Sequence, residues 1–166
     1  MKQLKYILLE KLNRTKNSLM LEKLKINSNS KIDEYSYHPK DKDELHNMVN
    51  KLIKERGKNA DLNDIDTSKI DNMAGIFLNS DFNGNISEWD VSNVTNMVSM
   101  FEKSKFTGDI SQWDVSNVKD MKFMFYGSKF NGDISNWDVI NVKNMGGMFS
   151  DSPLEKNPPK WYKTKD

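Results

Sequence analysis

The sequence contains no cysteine, only two histidines and no long apolar run. The absence of cysteine excludes disulfides, thiolate metal sites and thiol nucleophiles. No apolar stretch approaches the roughly 20 residues that a membrane-spanning helix needs. Near the start of the chain, Glu10 and Lys11 interrupt a short apolar patch before it reaches signal-peptide length, and no small-residue cleavage site follows. We therefore expect a soluble, cytoplasmic protein without a membrane span.

Charge is distributed unevenly along the chain, although the formal net charge is only +1. Residues 1–60 contain 14 basic and 8 acidic side chains, whereas residues 61–150 contain 7 basic and 13 acidic ones. Such a division is typical of two functional surfaces, of a basic segment folded against an acidic one, or of a solvated surface without a role.

A period of 24 residues dominates the second half of the chain. The phrases ISEWDVSNV, ISQWDVSNV and ISNWDVINV begin at Ile86, Ile110 and Ile134. A period of this length indicates stacked supersecondary units that share one core. Two aromatic columns follow the same period: Trp89, Trp113, Trp137 and Trp161, and Phe77, Phe101, Phe125 and Phe149.

Each unit predicts a short strand, a helix and a turn. Ile86, Trp89 and Val91 have the spacing of a buried strand that begins at a turn, and the positions that follow have helical spacing after a possible N-cap at Ser92 or Asn93. A glycine recurs after the predicted helix, where the backbone needs a positive φ or a close approach; these glycines are Gly84, Gly108 and Gly132. The fold class expected is therefore α/β, a solenoid of 24-residue strand-helix-turn units with short parallel strands.

The segments flanking the array complete a predicted organisation of four parts. Residues 37–61 contain an amphipathic helix with Asp41 as N-cap, Glu44 three residues later and Gly57 just past its end, which we expect to cap the array. Residues 1–36 form a basic arm and linker with a weaker helix over residues 4–24. The repeat array occupies 62–150, and the proline-containing segment 151–166 closes it.

The repeat pattern I-S-x-W-D-V-S-N-V-x-x-M-x-x-M-F-x-x-S-x-F-N-G-D resembles that of the BspA-type leucine-rich-repeat proteins of bacterial surfaces and mycoplasma lipoproteins. The resemblance covers about residues 62–150 and extends to the preceding segment 37–57. It implies a leucine-rich-repeat-like fold and a binding role similar to that of adhesins and host-protein binders.

Residues with catalytic or metal-binding chemistry are few. His38 and His46 have no partner at metal-site spacing and no nucleophile or carboxylate arrangement around them. The repeated NGD turns lack the acidic alternation and closing glutamate of a calcium loop. The glycines lack the strand-to-helix signature of a phosphate-binding loop. We therefore predict no enzyme activity, no metal and no cofactor.

Two hydrophobic columns are interpreted as core. The methionines fall on the face that also carries the phenylalanines, and methionine fills irregular core space well. The tryptophans occupy the inward positions of the predicted strand. The methionine column contains Met73, Met97, Met100, Met121, Met124, Met145 and Met148.

The outward positions of the predicted strands are the candidate binding surface. Asp66, Asp90, Asp114 and Asp138 form a carboxylate column whose members are either bound locally by backbone N–H groups or await a basic partner. The positions that vary between units are better candidates for specificity. The full candidate set contains Glu88, Asp90, Gln112, Asp114, Asn136, Asp138 and Ile140 on the array, and Lys5, Lys11, Arg14 and Lys16 on the arm.

The sequence predicts a non-enzymatic protein-binding module that recognises or inhibits a macromolecular partner through the strand face, the basic arm or both. Its most specific form is a stand-alone inhibitor of a host defence complex. A surface adhesin is the alternative that the family resemblance implies. Nucleic-acid binding through the basic N-terminal segment is a further alternative, against which the acidic array argues.

Overall fold

The computed structural model describes residues 35–162. These residues contain one α-helix, α1 (Lys42–Arg56), and one short 3₁₀ helix (Pro153–Glu155). The remaining backbone consists of turns and irregular segments, and its five parallel bridges are isolated. No helix in this part of the chain is long and apolar enough to cross a membrane. The helix predicted over residues 4–24 lies outside the described residues.

The 24-residue units stack on one another, and we call each unit a rung. Rung 1 comprises residues 62–85, rung 2 residues 86–109, rung 3 residues 110–133 and rung 4 residues 134–157. Single parallel bridges join equivalent residues of successive rungs, from Asn72 to Asn96, from Asn96 to Asp120 and from Asp120 to Asn144. The period of the sequence is therefore the period of the structure.

The predicted strands do not form, so the α/β fold class with strand-helix units is wrong. We call residues 62–68, 86–92, 110–116 and 134–140 the Trp segments. Within the second of these, the Trp89 N–H bonds back to the Ile86 carbonyl at 3.2 Å, and just after it Val94 N–H bonds to the Val91 carbonyl at 2.9 Å. Each segment therefore closes turns upon itself, which leaves those N–H groups unable to join a ladder with the neighbouring rung.

The predicted helices after Ser92 and its equivalents do not form either. We call residues 73–80, 97–104, 121–128 and 145–152 the turn runs. In the second run, the N–H groups of Met100 and Glu102 close four-residue turns, while those of Met97, Ser99 and Phe101 bond to carbonyls of rung 3 at 2.9–3.0 Å. An α-helix would direct all of these N–H groups along its own axis. Here alternate N–H groups instead join one rung to the next.

Two columns of left-handed residues explain why the turn runs cannot be helical. One column has φ between 55° and 70° and contains Gly75, Ser99, Phe123 and Gly147; the other, four residues later, contains Asn79, Lys103, Gly127 and Asp151 at 53–61°. A positive φ every fourth residue interrupts any right-handed helix. The turn run nevertheless buries the residues that the helical spacing predicted to face the core.

The core is made of the predicted columns, and their burial is confirmed. Trp89, Trp113 and Trp137 are 3–4% exposed, and the column from Phe77 to Phe149 is buried. Successive phenylalanine rings are parallel, with centroids 5.4, 5.5 and 5.9 Å apart. Within the methionine column, Met145 is partly buried and the other members are fully buried.

Rungs 1 to 3 each contain one glycine where another part of the structure comes close. A Cβ on Gly84 would lie 2.0 Å from the Ala60 carbonyl oxygen, and one on Gly108 would lie 2.7 Å from the Phe106 ring. Neither glycine has a positive φ. Close approach is therefore the reason for these glycines, as it is for Gly132.

Helix α1 precedes the first rung and has the predicted ends. The Asp41 side chain accepts a hydrogen bond from Glu44 N–H at 2.9 Å, and Gly57 N–H bonds to the Ile53 carbonyl. The buried face carries Leu45, Val49 and Leu52, which belong to the same core as rung 1.

Candidate functional site

The tryptophan column joins successive rungs. Each indole Nε1 donates to a backbone carbonyl 27 residues earlier: Trp113 to Ile86 at 3.2 Å, Trp137 to Ile110 at 3.2 Å and Trp161 to Ile134 at 2.9 Å. A buried indole N–H needs such a partner. The rings of Trp113 and Trp137 are buried and therefore offer no surface to a ligand, whereas Trp161, at the end of the column, is partly buried.

The carboxylate column accepts local hydrogen bonds. Asp90 and Asp114 each accept from the backbone N–H two residues later at 3.0 Å, and Asp138 accepts from Ile140 N–H at 3.1 Å. Asp66 accepts in the same way from Ser68 at 3.1 Å. This is an Asx turn, in which an aspartate side chain satisfies the backbone that follows it.

At Asp66 and Asp114, these hydrogen bonds lower the pKa of the carboxyl group. The Ser116 hydroxyl and N–H hold the pKa of Asp114 below its usual range. For Asp66, burial raises the pKa, but the hydrogen bonds from Ser68 and His38 together outweigh burial, so the net pKa is lowered. At neutral pH these carboxylates are ionised acceptors with donors already in place.

A second aspartate column follows the same local rule. Asp109 and Asp133 accept from the N–H groups of Ser111 and Ser135 at 2.9 Å, and these bonds lower the pKa of both carboxyl groups. Recurring Asx turns therefore account for much of the acidic composition of the array.

The variable positions of the Trp segments are exposed, as predicted. Glu88, Gln112 and Asn136 lie on the surface, and Ile140 is 83% exposed. Ile140 replaces the serine that follows the Trp-Asp pair in the other rungs. The candidate residues of the arm, Lys5, Lys11, Arg14 and Lys16, lie outside the described residues.

A groove of about 590 Å³ lies between residues 131–136 and residues 154–160. Its walls include Asp133, Asn136, Pro158 and Lys160. The groove therefore contains one of the predicted variable positions. Within residues 35–162, no three histidine or carboxylate side chains converge in a way that could hold a metal ion.

The turn runs carry a second exposed surface, which we call the aromatic-lysine patch: Lys103, Lys122, Phe123 and Tyr126. The Phe123 and Tyr126 rings meet edge to face with centroids 5.7 Å apart. The Lys122 ammonium lies 4.9 Å from the Phe123 ring centroid, and the Lys103 ammonium lies 5.8 Å from that of Tyr126. Two cations thus flank two aromatic rings on one surface.

Tyr126 connects this patch to the adjacent rung. A hydrogen bond to Asp151, together with the negative charge of that carboxylate, raises the pKa of Tyr126. The phenol is therefore protonated at neutral pH, and its ring lies edge to face with Phe123.

Phe123 is strained and remains partly exposed. Its φ is 57° and its side chain is 36% exposed, whereas its column otherwise contains glycine or serine. A left-handed conformation costs about 1–2 kcal/mol for a residue with a Cβ. The ring also occupies the space that a side chain at Gly147 would need, because a Cβ there would lie 2.5 Å from it.

Sequence reasoning missed the aromatic-lysine patch because it assigned these residues to a helix. The signal was nevertheless present in the column Gly75, Ser99, Phe123 and Gly147. An aromatic residue that replaces glycine or serine at one point of a repeat is a departure that packing does not require.

Comparison with known proteins places the chain in a family. Residues 43–161 match the model of a family described as Mycoplasma protein of unknown function, DUF285. This match spans well over half of the chain, so the chain belongs to that family. No curated protein and no solved structure matches the chain.

The resemblance to BspA-type leucine-rich-repeat proteins is therefore wrong. The matching family is a distinct one. The leucine-rich-repeat-like solenoid that the resemblance implied also disagrees with the described residues, in which the array contains neither strands nor α-helices. The adhesin interpretation depended on that resemblance and loses its basis.

Proposed function

We propose that this chain is a non-enzymatic protein-binding module that contacts its partner through the aromatic-lysine patch. The observation that carries the proposal is Phe123, a partly exposed aromatic ring in a left-handed conformation. The left-handed backbone recurs at this position in every rung, but only rung 3 places a bulky aromatic ring there. A bulky residue with a positive φ is uncommon, and such residues concentrate at functional sites.

The composition of the patch supports a protein partner. Aromatic side chains are enriched at the energetic centres of protein interfaces, where they bury a large area with little loss of side-chain entropy. Phe123 and Tyr126 contact each other, and Lys122 and Lys103 lie over their rings, before any partner binds. Binding therefore requires little further ordering.

The variable positions of the Trp segments form a second part of the proposed surface. Glu88, Gln112 and Asn136 differ between rungs while the aspartates beside them do not. Since Asp90 and Asp114 accept local hydrogen bonds, we assign them to the fold and the variable positions to recognition. Inhibition of a macromolecular complex is a more specific form of the same proposal, because a small bound domain blocks the surface that it occupies.

Photo-crosslinking in the source cells tests this proposal. A photoreactive phenylalanine analogue replaces Tyr126 in one variant and Lys129, an exposed residue outside the turn run, in the control. We expect a discrete crosslinked protein from position 126 that is absent from position 129. Equal products from both positions, or none from position 126, would contradict the proposal.

A further inference from the structure

The last turn run contains backbone N–H groups that find no acceptor among residues 35–162. In rungs 1 to 3, four alternate N–H groups of each run bond to carbonyls of the following rung; in rung 3 these are Met121, Phe123, Phe125 and Gly127, at 2.8–3.0 Å. The equivalents in rung 4 are Met145, Gly147, Phe149 and Asp151. Among the described residues, the first three of these N–H groups have no acceptor.

We call this row of N–H groups the edge of rung 4. Its fourth donor shows that a carboxylate binds there. Asp151 N–H bonds to the Glu155 carboxylate at 3.1 Å, where a following rung would have supplied a carbonyl. A carboxylate thus already satisfies one donor of the row. Charge-assisted hydrogen bonds of this type are stronger than those between neutral groups.

The accessible part of the edge lies beside the aromatic-lysine patch. Met145 and Gly147 are partly exposed and Gly146 is exposed, whereas Phe149 is covered by Trp161 and Tyr162. The Lys122 side chain passes 4.0 Å from the position that a Cβ on Gly146 would occupy. A cation and two backbone donors therefore adjoin the Phe123 ring.

We propose that this edge binds an extended acidic segment of the partner protein. Carbonyls of that segment accept from the N–H groups of Met145 and Gly147, and its carboxylates pair with Lys122, in the manner of a peptide added to an open edge. This inference rests on the proposed function, because it specifies the chemistry of the partner at the same surface.

Position 146 provides a matched pair of variants. Gly146 does not have a positive φ, and a Cβ there meets nothing closer than 3.5 Å, so a side chain fits without changing the backbone. Gly146→Glu places a carboxylate beside the free donors, as Glu155 does for Asp151, and competes with the partner. Gly146→Lys adds a second cation next to Lys122.

The probe is a fluorescein-labelled peptide of alternating glutamate and alanine, measured by fluorescence anisotropy with the full chain. Gly146→Glu and Lys122→Glu should each weaken binding by about tenfold, the equivalent of one charge-assisted hydrogen bond. Gly146→Lys should strengthen binding, and Lys129→Glu, outside the turn run, should change it less than twofold. Alternating lysine-alanine and glutamine-alanine peptides should not bind.

Backbone NMR distinguishes capture at the edge from general charge attraction. The acidic peptide should shift the amide resonances of Met145 and Gly147, while that of Asp151, bound to Glu155, stays in place. Binding without those shifts would overturn the inference, as would equal weakening by Lys129→Glu. If the acidic peptide fails to bind while crosslinking at position 126 persists, the inference fails and the proposed function stands. Near-UV circular dichroism of the tryptophans verifies that each variant is folded.

Discussion

The Trp segments and the turn runs both join successive rungs, but they use different groups to do so, and this difference affects which side chains can vary on the surface. In the Trp segments, side chains join the rungs: each indole reaches the previous rung and each aspartate closes its own turn. In the turn runs, backbone N–H groups join the rungs. Backbone links leave the outward side chains of the turn runs free to differ, whereas the Trp-Asp pair of the Trp segments recurs in rungs 2 to 4.

Removal of a tryptophan should damage the array most. Trp113→Ala deletes a ring that is 4% exposed and leaves the Ile86 carbonyl without its donor. We expect a loss of about 3–5 kcal/mol in the free energy of unfolding, as for other buried aromatic residues replaced by alanine. Urea denaturation followed by circular dichroism measures it. Trp161→Ala, at the partly buried end of the column, should lose less stability. An equal loss would show that the position of a tryptophan in the column does not affect its contribution to stability.

A methyl group at the close-approach glycines should produce the next largest effect. Gly84→Ala drives a Cβ to 2.0 Å from the Ala60 carbonyl oxygen, which bonds to Asn85 N–H. Overpacking of this kind costs about 1–3 kcal/mol. Gly146→Ala is the control, since its Cβ would meet only ordinary contacts. Thermal melting compares the two, and equal midpoints would contradict the account.

A fall in pH should lower the stability of the array, because it protonates the aspartates of the Asx turns. Hydrogen bonds from Ser111, Ser116 and Ser135 lower the pKa of Asp109, Asp114 and Asp133. A lowered folded-state pKa contributes stability that is present above the unfolded value, about 4, and is lost as the pH falls through the folded pKa. The triple aspartate-to-asparagine variant keeps the acceptor oxygens, as Asn72 and Asn96 do in a third column. Its stability should therefore fall less than the wild type's between pH 6 and 3, and parallel urea-midpoint curves would refute this.

The smallest effect on stability is expected in the aromatic-lysine patch. Phe123→Ser restores the residue type of Ser99, keeps a Cβ in the left-handed conformation and removes only partial burial. We expect the free energy of unfolding to stay within about 1 kcal/mol of the wild type, as for most substitutions outside the core. Phe125→Ser, two residues away and fully buried, should instead lose about 3–5 kcal/mol. A similarly large loss of stability in Phe123→Ser would contradict the account, because it would show that the ring belongs to the core.

The sequence was sufficient to predict the core but not the backbone. The period of 24 residues identified Trp113, Phe101 and Met97 as buried, because stacking repeats the environment of each position. The spacing of Val94, Met97, Met100 and Phe101 also fits a helix, since a run of turns with a left-handed residue every fourth position directs the same residues inward. Gly127 and Gly147, inside two predicted helices, were the signals against that interpretation.

The candidate site was predicted in part. Gln112 and Asn136 were correctly expected on the surface, although the structure shows a turn with two consecutive residues that are not buried rather than the strict alternation of a strand. The local role of Asp114 was left open, since its donor, Ser116, is two residues away and either interpretation fits that spacing. The contact between Phe123 and the edge at Gly147 depends on the 24-residue stacking of a turn conformation that the helical interpretation excluded.

One measurement tests most directly whether recognition resides in the aromatic-lysine patch rather than in the repeated aspartates of the Trp segments. The affinity of the partner crosslinked at position 126 is measured by calorimetry for the wild type, Phe123→Ser and Asp114→Asn, all three shown to be folded. We predict that Phe123→Ser weakens binding by at least about tenfold, as the loss of an aromatic interface residue does, and that Asp114→Asn leaves it unchanged. Loss of affinity in Asp114→Asn with none in Phe123→Ser would contradict the account.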